Sequence, residues 1–168
     1  CGGGLLCENL AEYSKEVKGI DMSNEAIEIA KTHQTLKNLK IDYEEIALEG
    51  LLKKSKKKYD VLTCMELVEH VPDPEKLIKD CFKITNRKAD LFFSTLNRNI
   101  ISYIIAIIGA EYILSILPKG THKYEKFIKP SEFSKILRSN DLIVKDIKGI
   151  SFNLLTNKFF ESNNTDIN

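Results

Sequence analysis

Short apolar runs alternate with amphipathic stretches along most of this chain, the pattern of a parallel sheet covered by helices. A helix is predicted over residues 5–14, directly after Gly2-Gly3-Gly4, and a short strand over 17–21. Ser23 has the character of a helix cap, and Ala26, Ile27, Ile29, Ala30, His33 and Leu36 recur behind it at helical spacing. Another strand follows over 41–46 and a short helix over 47–54. Residues 59–65 are almost continuously apolar, as in a strand buried on both faces of a parallel sheet. Pro72-Asp73-Pro74 starts a helix through Leu77, Ile78, Cys81 and Phe82, proline being suited to a first turn. A strand over 91–94, a helix from Pro130 to near Asn140, and an antiparallel pair over 143–147 and 151–155 complete the reading. The expectation is one α/β domain over 1–168 with helices on both faces of a mostly parallel sheet.

One segment breaks the alternation. Residues 100–117 are nearly all apolar, interrupted by Ser102, Glu111 and Ser115 and stopped by Pro118. That is marginal for a membrane span and carries a charge near its middle. A core helix or an interfacial one fits better, within an insertion at about 100–124.

Charge changes the picture little. With 25 Lys and Arg against 24 Asp and Glu, no global field favours a nucleic acid. The run Lys53, Lys54, Lys56, Lys57 and Lys58 reads as a solvated helix end and loop. Cys1, Cys7, Cys64 and Cys81 form no C-x-x-C pair, which argues against a zinc site or a disulfide framework. Cys64 is most simply a small buried hydrophobe. With no opening Met, the chain is expected to be a fragment lacking an upstream first strand.

The glycine loop opens a helix, and Asp21 ends the next strand. Glycines permit a sharp turn and close approach of backbone to ligand. A carboxylate at roughly that spacing can accept the ribose hydroxyls of an adenosine. A dinucleotide and S-adenosylmethionine both suit this geometry, and the glycines alone do not separate them. Glu66, Glu69 and His70 stand at i, i+3 and i+4, the offsets that share one helical face. Two carboxylates and an imidazole so placed could hold a divalent cation, magnesium before zinc or iron. The competing readings make His70 a general base, or the trio a solvated turn before Pro72. Met65 reads alone as an apolar residue ending a core strand, and His33 as structural. His122 stands open between a place at a substrate entrance and no role.

Further segments separate the cofactors. Gly19-Ile20-Asp21-Met22-Ser23, Tyr59-Asp60-Val61 and Met65-Glu66-Leu67-Val68-Glu69-His70-Val71-Pro72-Asp73-Pro74 resemble successive motifs of class I methyltransferases. Phe92-Phe93-Ser94-Thr95-Leu96-Asn97-Arg98-Asn99, Gly109-Ala110-Glu111-Tyr112-Ile113-Leu114, Pro118-Lys119-Gly120-Thr121-His122 and Lys126-Phe127-Ile128-Lys129-Pro130 closely resemble the ubiquinone-biosynthesis O-methyltransferases of bacteria and mitochondria. That resemblance implies a Rossmann-like methyltransferase sheet and transfer of a methyl group from S-adenosylmethionine to a ring hydroxyl of a polyprenylated catechol or demethylubiquinol. It matches Gly2, Gly4, Asp21 and Met65 to cofactor contacts, and Glu66, Glu69 and His70 to a cation site, with Glu69 and His70 nearest the chemistry. It also implies peripheral membrane contact through about residues 100–129, and association with other ubiquinone-biosynthesis proteins. The location implied is the matrix side of the mitochondrial inner membrane or the cytoplasmic face of a bacterial inner membrane. Thr85-Asn86-Arg87-Lys88-Ala89 departs from the family's usual Lys-Pro-Gly-Gly turn, so a changed loop with a left-handed Asn86 is expected.

Overall fold

The computed structural model describes residues 1–99, 124–153, 156 and 158–162, in two compact units, Cys1–Lys58 and Tyr59–Asn168. The segment 100–123, with the apolar insertion and His122, lies outside the described residues.

The first unit is a β-α-β arrangement with a helix before it and one after. α1 (Leu5–Ala11) leads into β1 (Lys18–Asp21), followed by α2 (Asn24–Leu36), β2 (Asp42–Glu45) and α3 (Leu48–Lys54). The strands are parallel, with Gly19 opposite Tyr43 and Asp21 opposite Glu45. Ser23 caps α2 as expected, accepting from the Ala26 amide at 3.2 Å. The core gathers Cys7 from α1, Ile27 and Ala30 from α2, and Ile41 and Tyr43 from β2. α1 is shorter than its sequence suggests, ending at Ala11.

Glycine is required where α1 begins. Gly4, at the helix N-cap, has φ +87°, and a Cβ there would stand 2.4 Å from Tyr43 Oη and 2.9 Å from Ala30 Cβ. Gly2 has φ +52° but faces open space. Gly4→Ala is therefore expected to cost at least about 2 kcal/mol, since left-handed strain and overpacking add. Gly2→Ala bears only the conformational cost, about 1–2 kcal/mol. Urea midpoints of the two variants compare these directly, and equal losses would count against the packing argument.

An ion-pair group closes the β1–β2 edge. Lys18 Nζ donates to Asp42 and Glu44, each at 2.7 Å, and Lys54 Nζ donates to Glu44 at 2.5 Å. The two lysines hold the Glu44 carboxyl down at about 2. Its folded pKa lies below the unfolded value of about 4.3, so its contribution is complete above that pH and lost as pH falls toward 2. Glu44→Gln should flatten this part of the acid limb of a stability–pH curve; an unchanged limb would contradict the assignment.

The second unit repeats the β-α-β plan. β3 (Tyr59–Cys64) and β4 (Thr85–Phe93) are parallel, paired from Val61–Asp90 to Cys64–Phe93, with α4 (Pro74–Ile84) between them in sequence. Asp73 caps α4, accepting from the Lys76 amide at 2.9 Å, and Ile78, Cys81 and Ile84 form its buried face. Beyond β4, Phe127 is buried and the Ile128 amide donates to Leu96 O. α5 (Pro130–Ser139) packs Phe133 edge-on against Phe93, with ring centroids 5.6 Å apart. An antiparallel pair, β5 (Gly149–Asn153) and β6 (Lys158–Ser162), closes the unit.

Three sequence expectations are corrected. Residues 59–65 are not buried on both faces: Val61 is half exposed and Met65 is 46% exposed, so among the described residues nothing covers those side chains as helices on both faces would. The closing pair is antiparallel but lies downstream of 143–147, which form no strand. Residues 86–89 form no separate loop with a left-handed Asn86. They are absorbed into β4 as a bulge opposite Asp60, and Asn86 Nδ2 donates to Asp60 Oδ1 at 2.7 Å.

Candidate active site

Candidate residues fall at the carboxyl ends of strands in both units, where open α/β sheets bind ligands. In the first unit Asp21 ends β1 and faces the glycine loop. Its Oδ2 accepts from the Gly2 amide at 2.8 Å and the Cys1 nitrogen at 2.9 Å, and its Oδ1 accepts from the Ser23 amide at 3.0 Å. Burial opposes ionisation, but these donors overcome it and hold the carboxyl at about 2. A carboxylate has about four lone-pair sites, so the three donors leave capacity for a hydroxyl. Gly2, where an added Cβ would meet nothing within 4 Å, leaves space beside that acid. Gly4 turns the other way, against Ala30 and Tyr43, and its carbonyl accepts from Tyr43 Oη at 3.3 Å. Its left-handed φ and this close packing both call for glycine at that position.

In the second unit the segment after β3 carries Met65, Glu66, Glu69 and His70. Met65 is 46% exposed at the strand end. Residues 66–71 form bends and a turn, and α4 begins only at Pro74. The expectation that Glu66, Glu69 and His70 share a helical face is therefore wrong. Two prolines and an Asp cap delay the helix past all three residues.

Each acidic residue is held separately. Glu66 is left-handed at φ +48°. Its amide donates to Ser94 O at 3.2 Å and Ser94 Oγ at 3.0 Å, while Ser94 Oγ donates to Glu66 Oε1 at 2.6 Å. Glu69 is 3% exposed; its Oε2 accepts from Thr95 Oγ1 at 2.9 Å, and its Oε1 is buried without a partner. His70 is exposed. Among the described residues no group of three or more His, Cys, Asp or Glu side chains could hold a metal ion. As arranged, the trio does not fit a bound cation. Cys64, just before the segment, is buried as expected.

Ser94 and Thr95, to which the sequence reading gave no role of their own, are the partners of Glu66 and Glu69. Their signal was positional: two hydroxyls directly after the apolar run that ends β4, at the ligand-binding edge of a strand.

The fold and its strand-end residues define an S-adenosylmethionine-dependent methyltransferase, and the family model described as "Methyltransferase domain" matches residues 1–145, across both units. The chain is 20% identical to the magnesium protoporphyrin IX methyltransferase of Synechocystis PCC 6803, solved with bound SAH; the match has a TM-score of 0.67 over 91% of this chain and 65% of that one. A Bacillus subtilis protein, 16% identical, matches with a TM-score of 0.68 over 89% of this chain and 62% of its own. These two show the fold. The chain belongs to the ubiquinone biosynthesis O-methyltransferase family: it is 49% identical over 168 residues to the member from Paraburkholderia phymatum and 48% to that from Burkholderia vietnamiensis. In both cases the whole chain matches 72% of the relative's length.

Proposed function

We propose that the protein methylates a ring hydroxyl of a polyprenylated catechol or demethylubiquinol, and that Glu69 is the group on which the acceptor oxygen depends. The unpartnered buried oxygen of Glu69 carries this reading. Leaving such an acceptor unsatisfied costs about 1–3 kcal/mol or more, and a phenol O–H brought to it would supply the missing donor. A phenol is a weak nucleophile until it loses its proton, and a positioned carboxylate can take that proton as the oxygen attacks. Bound S-adenosylmethionine supplies the methyl group, the new C–O bond forming as the C–S bond breaks and its electron pair stays on sulfur. Asp21 and Gly2 hold the adenosine end in this reading. The name of the homologous family supports the substrate class.

A second reading rests on the same atom. A divalent cation, magnesium first, would also claim Glu69 Oε1, and would require Glu66 and His70 to turn toward it. Chelator decides between the two. Product formed from labelled S-adenosylmethionine and a short-chain catechol that persists in EDTA leaves Glu69 as base. Product that vanishes in EDTA and returns with magnesium makes Glu69 a ligand. No product in either condition would overturn the assignment of substrate.

Peripheral membrane contact through about residues 100–129 belongs to the same proposal, since a polyprenyl tail keeps the acceptor in a bilayer. The run of apolar residues before Lys119, Lys123, Lys126 and Lys129 supports it. Among the described residues, no helix is long and apolar enough to cross a membrane. The surface proposed is the matrix side of a mitochondrial inner membrane or the cytoplasmic face of a bacterial one, where other proteins of ubiquinone synthesis would be neighbours.

A further inference from the structure

We infer that Ser94 and Thr95 are positioning residues whose adjacent hydroxyls fix the acidic segment after β3 in its working conformation. The inference rests on Glu69 serving the acceptor, as proposed above, but stands on its own geometry. Ser94 continues the sheet beyond its last paired residues: its amide donates to Cys64 O at 3.2 Å, and its carbonyl accepts from the Glu66 amide. The same Glu66 amide also reaches Ser94 Oγ, which in turn donates to Glu66 Oε1. Ser94 therefore grips Glu66 at both backbone and side chain. Glu66 needs that grip, because a left-handed conformation is unfavourable for a residue with a Cβ.

With Glu66 held in this turn, the chain reverses quickly and Val68 and Glu69 are carried inward, both buried. Thr95, the next residue along, then donates to Glu69 Oε2. One carboxylate oxygen is occupied and the other stays buried without a partner. The hydroxyl pair thus sets both the backbone path of the segment and the rotation of the Glu69 carboxylate. A single misdirected carboxylate can cost a reaction about 100-fold when alignment shifts by about 1 Å.

The test uses the full-length enzyme and its Thr95→Val, Thr95→Ser and Ser94→Ala variants, with thermal melts to confirm folding. Thr95→Val keeps the shape and removes the donor. It is expected to lower kcat about 10–100-fold while leaving KM for S-adenosylmethionine within about twofold. Thr95→Ser should restore kcat to within a few fold. Amide hydrogen exchange of the peptide covering residues 65–71 supplies a readout independent of turnover, and should accelerate in Ser94→Ala and Thr95→Val. An unchanged kcat in Thr95→Val, an equal loss in Thr95→Ser, or wild-type exchange in both variants would overturn the inference. Absence of product from the wild type would instead count against the proposed reaction, while the exchange measurement would still decide the grip on the segment.

Discussion

Glu69→Gln is expected to lower kcat by about 100- to 10,000-fold while leaving S-adenosylmethionine affinity nearly unchanged. The substitution keeps the size of the side chain and removes its negative charge. Oε2 lies 2.9 Å from Thr95 Oγ1, so Gln can orient its carbonyl to keep that bond. Its NH2 group then occupies the Oε1 position, where the wild type has an unpartnered acceptor. An acceptor has become a donor at the point where the proposed substrate hydroxyl would be received. The same change would also remove a cation ligand, so the prediction holds under either reading of Glu69. Single-turnover rates and equilibrium binding of SAH separate the two effects; weakened SAH binding with an intact rate would place Glu69 in cofactor binding instead.

Asp21→Ala is expected to weaken cofactor binding by about 10- to 100-fold. A hydrogen bond to a charged group contributes about 1.5–3 kcal/mol, and about 1.4 kcal/mol corresponds to tenfold. The loss extends beyond the proposed ribose contact, because Asp21 organises the loop it faces. Without its carboxylate the Gly2 and Ser23 amides lose their shared acceptor. Since Asp21 is held at about 2, it remains ionised throughout the neutral range. Affinity that depends on this carboxylate should therefore be flat with pH above about 4 and fall as pH drops toward 2. Titration calorimetry with SAH measures both results; wild-type affinity in Asp21→Ala would remove the acid from the site.

Much of the fold was legible because the β-α-β rhythm is written in residue periodicity. Ser23 and the Pro72-Asp73-Pro74 run announced their helices correctly, and the Ser23 and Asp73 side chains satisfy first-turn amides. Asp21 was legible for a similar reason: an acid ending a strand after a glycine loop has a defined place. The segment after β3 was misread because spacing was taken for helical geometry before a helix existed. Glu66, Glu69 and His70 have helical offsets, yet a left-handed Glu66 and the prolines ahead send the chain through a turn. The Ser94 and Thr95 contacts were out of reach of local pattern, since they join positions 26 or 28 residues apart. Gly4 carries a related lesson. Its left-handed φ and its packing against Tyr43, whose ring arrives from β2, are requirements of the fold that a run of glycines does not display.

The most direct test is methyl transfer itself, measured with full-length protein, labelled S-adenosylmethionine and a short-chain polyprenyl catechol, for wild type and Glu69→Gln. The account predicts a methylated ring oxygen from the wild type and at least a 100-fold slower reaction from the variant, with SAH bound equally by both. A wild type that binds SAH and forms no methylated catechol, or a variant that turns over at the wild-type rate, would contradict it.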